Sequence, residues 1–160
     1  MTGRVRTSGI LIVILGVWGG IVPFVGPTFG FGAGTSAWTW TVPFATLNVA
    51  AAVAAVVGGF LLLSGGASGA RAGGALAVVG GMWFVLGPIF QPLWHQASVL
   101  VVVTGGPSWM DVAKVIGYHD GTGLLITFLG AYALGVLSWP RRVAARSAEP
   151  VAPRRVDEAA

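Results

Sequence analysis

The chain has 160 residues, of which 55% are hydrophobic and 9% charged. Soluble domains carry roughly a quarter charged residues, so there is too little polar surface here to cover a soluble core, and an integral membrane protein is predicted. The net charge of +4 and the absence of cysteine narrow the classes further. The basic residues stand at the ends of apolar runs and are not interleaved with exposed aromatics, so no nucleic-acid partner is expected. Disulfide frameworks, thiolate metal centres and thiol chemistry are excluded.

The first apolar stretch runs from about Ser8 to Val25 and follows Arg4 and Arg6. A helix rises about 1.5 Å per residue, so roughly 20 residues cross a hydrocarbon core of about 30 Å. A secretory leader is the rival reading of this stretch. However, only a poor cleavage-site imitation follows at Thr35–Ala37, and the stretch resembles a later one that cannot be a leader. The segment Thr28–Thr41 is uncharged, glycine-rich and aromatic, with Trp38 and Trp40 placed as interfacial belt residues.

The second span covers about Val42 to Leu63 and contains Thr46 and Asn48. An amide in lipid needs a partner, so Asn48 is expected to bond across to another helix. A short turn, SGGASGARAGG, carries Arg71 and leads into the third span, about Gly73 to Leu93. The outer segment Trp94–Asp120 follows. In it, SVLVVV at Ser98–Val103 reads as an extended loop segment or an apolar plug. A short helix is predicted from Pro107 or Ser108 to Gly117, with Trp109, Val112, Ala113 and Ile116 on one face against the outer membrane surface.

The fourth span runs from about Gly121 to Trp139 and holds Thr127 and Tyr132. No span contains Lys, Arg, Asp or Glu. Barrel alternation is absent, and backbone groups in lipid must be satisfied within the segment, so the spans are helices. Residues 140–160, PRRVAARSAEPVAPRRVDEAA, have little to bury and are expected to be a disordered cytoplasmic tail. Arg141, Arg142 and Arg146 serve there as a stop-transfer signal or touch anionic lipid headgroups.

Of nine basic residues, only Lys114 falls in an outer loop. The positive-inside rule then puts both termini in the cytoplasm, in a multi-pass protein of the inner membrane.

The pattern Trp-x4-Pro-x3-Pro occurs twice, as Trp18, Pro23, Pro27 and as Trp83, Pro88, Pro92, 65 positions apart. Both copies lie in the outer half of a span that starts inside. Two parallel helical hairpins are therefore predicted, related by a pseudo-two-fold axis along the membrane normal. Each proline pair is expected to bend and then end its helix. Trp18 and Trp83 are expected to pack between helices near that axis. Small residues at four-residue spacing recur in every span: Gly16 and Gly20; Ala51, Ala55 and Gly59; Gly73, Ala77 and Gly81; Gly123, Thr127, Ala131 and Gly135. Such faces let backbones approach closely, which predicts a compact transmembrane four-helix bundle.

Signals for chemistry are sparse. No ionisable group lies near the midplane, which argues against a proton-coupled carrier. Asn48, Thr127 and Tyr132 are the polar residues able to line a cavity; packing positions are the competing reading. His95, Asp111, His119 and Asp120 gather outside. They have ligand chemistry for a metal, but their spacing matches no metal motif. Interface histidines and a helix-capping aspartate account for them without one. No catalytic motif is present, and no cofactor is implied.

The stretch WGGIVPFVGPTFGF (Trp18 to Phe31) with AWTWT after it, and GYHDGTGLLITFLGAYALGVLS as a fourth span, resemble a set of small, uncharacterised four-span membrane proteins of actinobacteria. The resemblance covers most of residues 10–139 and implies a location and a fold. More distantly, the W-x4-P pattern is similar to the SPW-repeat membrane proteins, which duplicate a two-helix unit. Their Ser-Pro-Trp core is replaced here by Val22-Pro23-Phe24 and Gly87-Pro88-Ile89. The role expected is non-enzymatic, a structural or partner-binding membrane component that self-associates or joins another membrane protein. A small transporter or channel subunit is the alternative.

Overall fold

The computed structural model describes residues 3–29, 38, 40, 42, 44–64, 66–90, 109, 112–113 and 116–147. Among them, α1 spans Gly3–Val25 and runs into a 3-10 turn, Gly26–Phe29. A π-helical turn, Phe44–Val49, leads into α2, Ala50–Leu63. Helix α3 spans Ala67–Phe90. A second π-helical turn, Ile116–Asp120, leads into α4, Gly121–Ser147. Four helical segments, Gly3–Thr28, Ala45–Leu63, Ala67–Gly87 and Gly121–Ser138, are long and apolar enough to cross a membrane, the second by including most of its π-helical turn. The chain is an all-α four-helix bundle.

Several boundaries differ from expectation. Helix α1 starts at Gly3, so Arg4 and Arg6 belong to its first turns. Helix α3 starts at Ala67, which puts Arg71 in its second turn and not in a loop. Ser64 closes α2, its amide donating to the carbonyls of Phe60 and Leu61 and its hydroxyl to Leu61. Two residues later the Gly66 carbonyl accepts the Ala70 amide at 2.8 Å and begins the next helix. Alanines at 67, 70 and 72 favour helix strongly enough to outweigh Gly69 between them. Helix α4 continues through Pro140 to Ser147, past the boundary expected at Trp139. Residues 148–160 of the expected tail lie outside the described residues.

Pro23 lies inside α1, which gives way after Val25 to the turn holding Pro27. Pro88 lies inside α3. Pro92 is outside the described residues.

The helices run antiparallel in the ring order α1, α2, α3, α4, with α4 closing against α1. Glycine sets the close approaches. A Cβ built on Gly9 would meet the Gly59 carbonyl and Leu63, and one built on Gly74 would meet the Gly130 carbonyl and Leu134. In the same way Gly59 faces Val13 and the Gly9 carbonyl, while Gly130 faces Val78 and the Gly74 carbonyl. The α1–α2 contacts thus reappear between α3 and α4, 65 positions further on in the first helix of each pair and 71 in the second (Leu63 to Leu134). Burial follows the same rule: Val5, Ile12 and Gly16 match Ala70, Ala77 and Gly81, and Ala55, Gly59 and Leu62 match Ile126, Gly130 and Ala133.

The two remaining seams are unlike. Between α2 and α3, Gly58 meets the Gly73 carbonyl and Ala77, and Gly80 meets the Ala51 carbonyl and Ala54. In register on the α4–α1 side stand Leu129, Ser8, Ile12 and Leu15. Leu15 and Leu129 pack against the buried core from its edge. Large side chains there hold α1 and α4 further apart than the glycines hold α2 and α3.

Small-residue faces were expected in every span. They hold for Ala51, Ala55 and Gly59 and for Gly73, Ala77 and Gly81, all buried. The α4 set needs correction. Ala131 and Gly135 are exposed, and nothing stands within 4 Å of a Cβ built on Gly135. The inward face is instead Gly123, Ile126, Gly130 and Ala133. A strict four-residue step advances 400°, about 40° more than a full turn, so a run of three steps leaves the face it began on. Alternating steps of three and four hold it.

Candidate functional site

Features of chemical interest gather where the two π-helical turns meet the Trp-x4-Pro segments. Trp18 donates its indole N–H to the Gly117 carbonyl at 2.9 Å. Trp83 donates its own to the Thr46 carbonyl, also at 2.9 Å. Each tryptophan therefore reaches from one hairpin to the π-helical turn of the other. The pair obeys the same two offsets, Trp18 to Trp83 by 65 and Thr46 to Gly117 by 71. A π-helical turn widens the helix by one residue. Here it occurs where a carbonyl accepts a side-chain donor from outside its own helix.

Trp18 and Trp83 lie at the seams and not at the centre: Trp18 is exposed and Trp83 packs on the edge of the core. The expectation that they mark the axis is corrected by one residue. A Cβ built on Gly19 would lie 2.7 Å from Cζ of the fully buried Phe84. Gly19 and Phe84 are themselves 65 positions apart. The space both would need is filled by a single ring, because a second bulky side chain would not fit beside it.

Asn48 is the buried polar group of this region. It is 1% exposed, and neither its Nδ2 nor its Oδ1 has a hydrogen-bond partner. The cross-helix bond expected from its sequence position is absent. Thr46 has its hydroxyl on the Val42 carbonyl. Thr122, also buried, bonds the Gly117 carbonyl at 3.1 Å. Thr127 bonds back to Gly123 at 2.8 Å and presses against Gly81, which makes it a packing residue. Tyr132 is 40% exposed on the outer flank. Asn48, Thr127 and Tyr132 therefore do not line one cavity.

A shallow apolar groove of about 260 Å³ lies between α2 and α3, lined by Ala50, Ala54, Val79, Gly80 and Trp83 among others. The opposite seam has Leu125 and Leu15 in register with Ala54 and Gly80. The groove thus follows from small residues on one seam alone.

At the C-terminal end of α1, Phe24 is buried beneath Trp38 and Trp40, with ring centroids at 6.1 and 4.7 Å. The Trp38 amide donates to the Phe24 carbonyl at 3.1 Å. Trp38 is thereby tied to the end of α1, and both tryptophans are exposed. Trp109, Val112 and Ala113 are helical, and Trp109, Val112 and Ile116 are exposed.

Of the four possible metal ligands, His95 and Asp111 lie outside the described residues, as does the side chain of His119. Asp120 is half-buried within a continuous helical segment, with no free helix end for it to cap. Among the described residues no group of three ligating side chains occurs. The side chains of Arg141, Arg142 and Arg146 are likewise outside the description, although their backbone is helical. No family model, curated protein or solved structure matches the chain.

Proposed function

We propose that the protein is a non-enzymatic, structural or partner-binding component of the cytoplasmic membrane, with both ends on the cytoplasmic side. In this reading the bundle is two helical hairpins related by a pseudo-two-fold axis, a two-helix duplication like that of the SPW-repeat membrane proteins its W-x4-P pattern more distantly resembles. The observation that carries the reading is Phe84 set against Gly19 at the centre. A carrier or channel needs a path at that point, and an aromatic ring occupies it. The separation of Asn48, Thr127 and Tyr132 supports the same view, because a transport site needs its polar groups to converge.

Function then resides on the outside of the bundle. Its partners are the bilayer, anionic headgroups near Arg141, Arg142 and Arg146, and a second copy or another membrane protein. Cytoplasmic termini are supported by Arg4, Arg6 and Arg71, which belong to helix ends on one side of the bundle.

The test is reconstitution of the purified protein into vesicles loaded with potassium and a small neutral solute. Efflux equal to that of protein-free vesicles is expected. Release of either solute in proportion to the protein present would replace the scaffold with a pore or carrier.

A further inference from the structure

Asn48 poses a specific problem. It is buried in the π-helical turn Phe44–Val49, and neither its Nδ2 nor its Oδ1 meets a hydrogen-bonding group of the protein. The hydroxyls of the region are committed elsewhere, Thr46 to the Val42 carbonyl and Thr122 to the Gly117 carbonyl. A carboxamide offers two donors and an acceptor, and burying them unpaired forfeits their hydrogen bonds to water.

The facing helix supplies a second group short of a partner. Proline has no amide hydrogen, so Pro23 gives none to the carbonyl four residues earlier, that of Gly19. Gly19 and Pro23 are both buried, so this break in the α1 ladder faces the interior and not lipid. Helix carbonyls point toward the C-terminal end, which aims that of Gly19 at the level of Pro23. A proline ring also crowds the carbonyl behind it and opens that turn.

The packing of α1 on α2 brings the two groups to one level. A Cβ built on Gly16 would meet Ala55 and Val56, and one built on Gly20 would meet Ala52. The helices run antiparallel, so one further turn sets Asn48 level with Pro23 and Phe24. The π-helical turn that holds Asn48 packs against both α1 and α3. Apolar groups close the surroundings: Phe84 against Gly19 on the deeper side, buried Phe24 toward the end of α1, and Leu47 against Gly87 on the side of α3.

We propose that Asn48 and the Gly19 carbonyl hold trapped water between them. The water takes a hydrogen from the Asn48 Nδ2 and gives one to the Gly19 carbonyl, and water beside Oδ1 gives it a hydrogen in turn. Water suits the site better than an ion, because the groups offered are neutral and of both kinds, donor and acceptor, and no span carries Lys, Arg, Asp or Glu. Ordered water is one of the ways in which a proline break in a membrane helix is satisfied, and buried water needs two or more polar partners. The site is structural and closed on both sides, so it opens no path through the bundle. It rests on the α1–α2 packing, and stands whether or not the scaffold role or the two-fold relation does.

The test has two arms. Asn48 is the one asparagine of the chain, so labelling with 15N-asparagine gives a single carboxamide signal in the parent protein in detergent. A dipolar cross-peak from its amide protons to long-lived bound water is expected, told from proton exchange by its sign in the rotating frame. Amide protons with cross-peaks to protein protons and none to water overturn the proposal. The second arm compares melting temperatures. Pro23→Ala gives the Gly19 carbonyl an amide of its own helix, so the shared water is no longer needed there. Asn48→Leu is expected to lower the melting temperature of the parent, and to lower that of the Pro23→Ala protein by less. An equal or larger loss in the Pro23→Ala background, or no loss in the parent, overturns the site.

Discussion

Phe84 rests its ring on the backbone of Gly19, so closely that a Cβ at Gly19 would lie 2.7 Å from the ring's Cζ. The two residues stand 65 positions apart, the offset at which the α1–α2 glycine contacts reappear between α3 and α4. One must be large and the other absent for the space to be filled once. Gly19→Phe alone is expected to disrupt the bundle by overpacking, at about 1–3 kcal/mol or more. Phe84→Gly alone leaves a cavity costing about 3–5 kcal/mol. The swap, Gly19→Phe with Phe84→Gly, restores one ring to the centre. It should recover much of the loss in thermal unfolding measured in detergent, whereas additive losses would mean that the positions are not equivalent.

The glycines of α3 and α4 give a paired contrast. A Cβ on Gly81 would stand 2.5 Å from Thr127 Oγ1 and 2.7 Å from the Gly123 carbonyl, while one on Gly135 meets nothing within 4 Å. Gly81→Val should lower the melting temperature by an amount equivalent to about 1–3 kcal/mol. Gly135→Val should leave it nearly unchanged, within about 0.5 kcal/mol. Equal effects would show that α4 is rotated from the orientation described.

The two indole bonds supply a third test. Trp18→Phe and Trp83→Phe keep an aromatic ring while removing the N–H that meets Gly117 or Thr46, together with the second ring of the indole. Each is expected to cost about 0.5–1.5 kcal/mol, and hydrogen exchange should rise first in the π-helical turn on the opposite hairpin. Exchange that rises only near the substituted tryptophan would separate the bonds from the turns.

Much of the architecture was legible in the sequence because each signal rests on one strong physical constraint. Uninterrupted apolar length locates the spans, since a charge in hydrocarbon is costly, and Trp18 and Trp83 announce the second hairpin by repeating. What escaped was finer. The outward turn of Ala131 and Gly135 was hidden because alanine and glycine are abundant on every face. The places of Arg4, Arg6 and Arg71 inside helices were hidden because arginine ends a hydrophobic run without ending a helix. The π-helical turns have no sequence signature of their own. Comparing the two halves at offsets of 65 and 71, and not at 65 alone, would have matched Thr46 with Gly117. The longer outer loop of the second hairpin conceals that shift.

The absence of cysteine from the chain permits the most direct measurement of the central claim, that the middle of this bundle is packed shut. Ala55→Cys, Ala77→Cys and Ala133→Cys place single thiols at positions with no exposure, and Gly3→Cys places one in open space at the end of α1. Treated in membranes with a charged, water-borne thiol reagent, the Gly3→Cys protein should be modified and the other three should remain unreacted. Modification at the three central positions at a rate near that of Gly3→Cys would mean that water reaches the axis, which contradicts a closed scaffold.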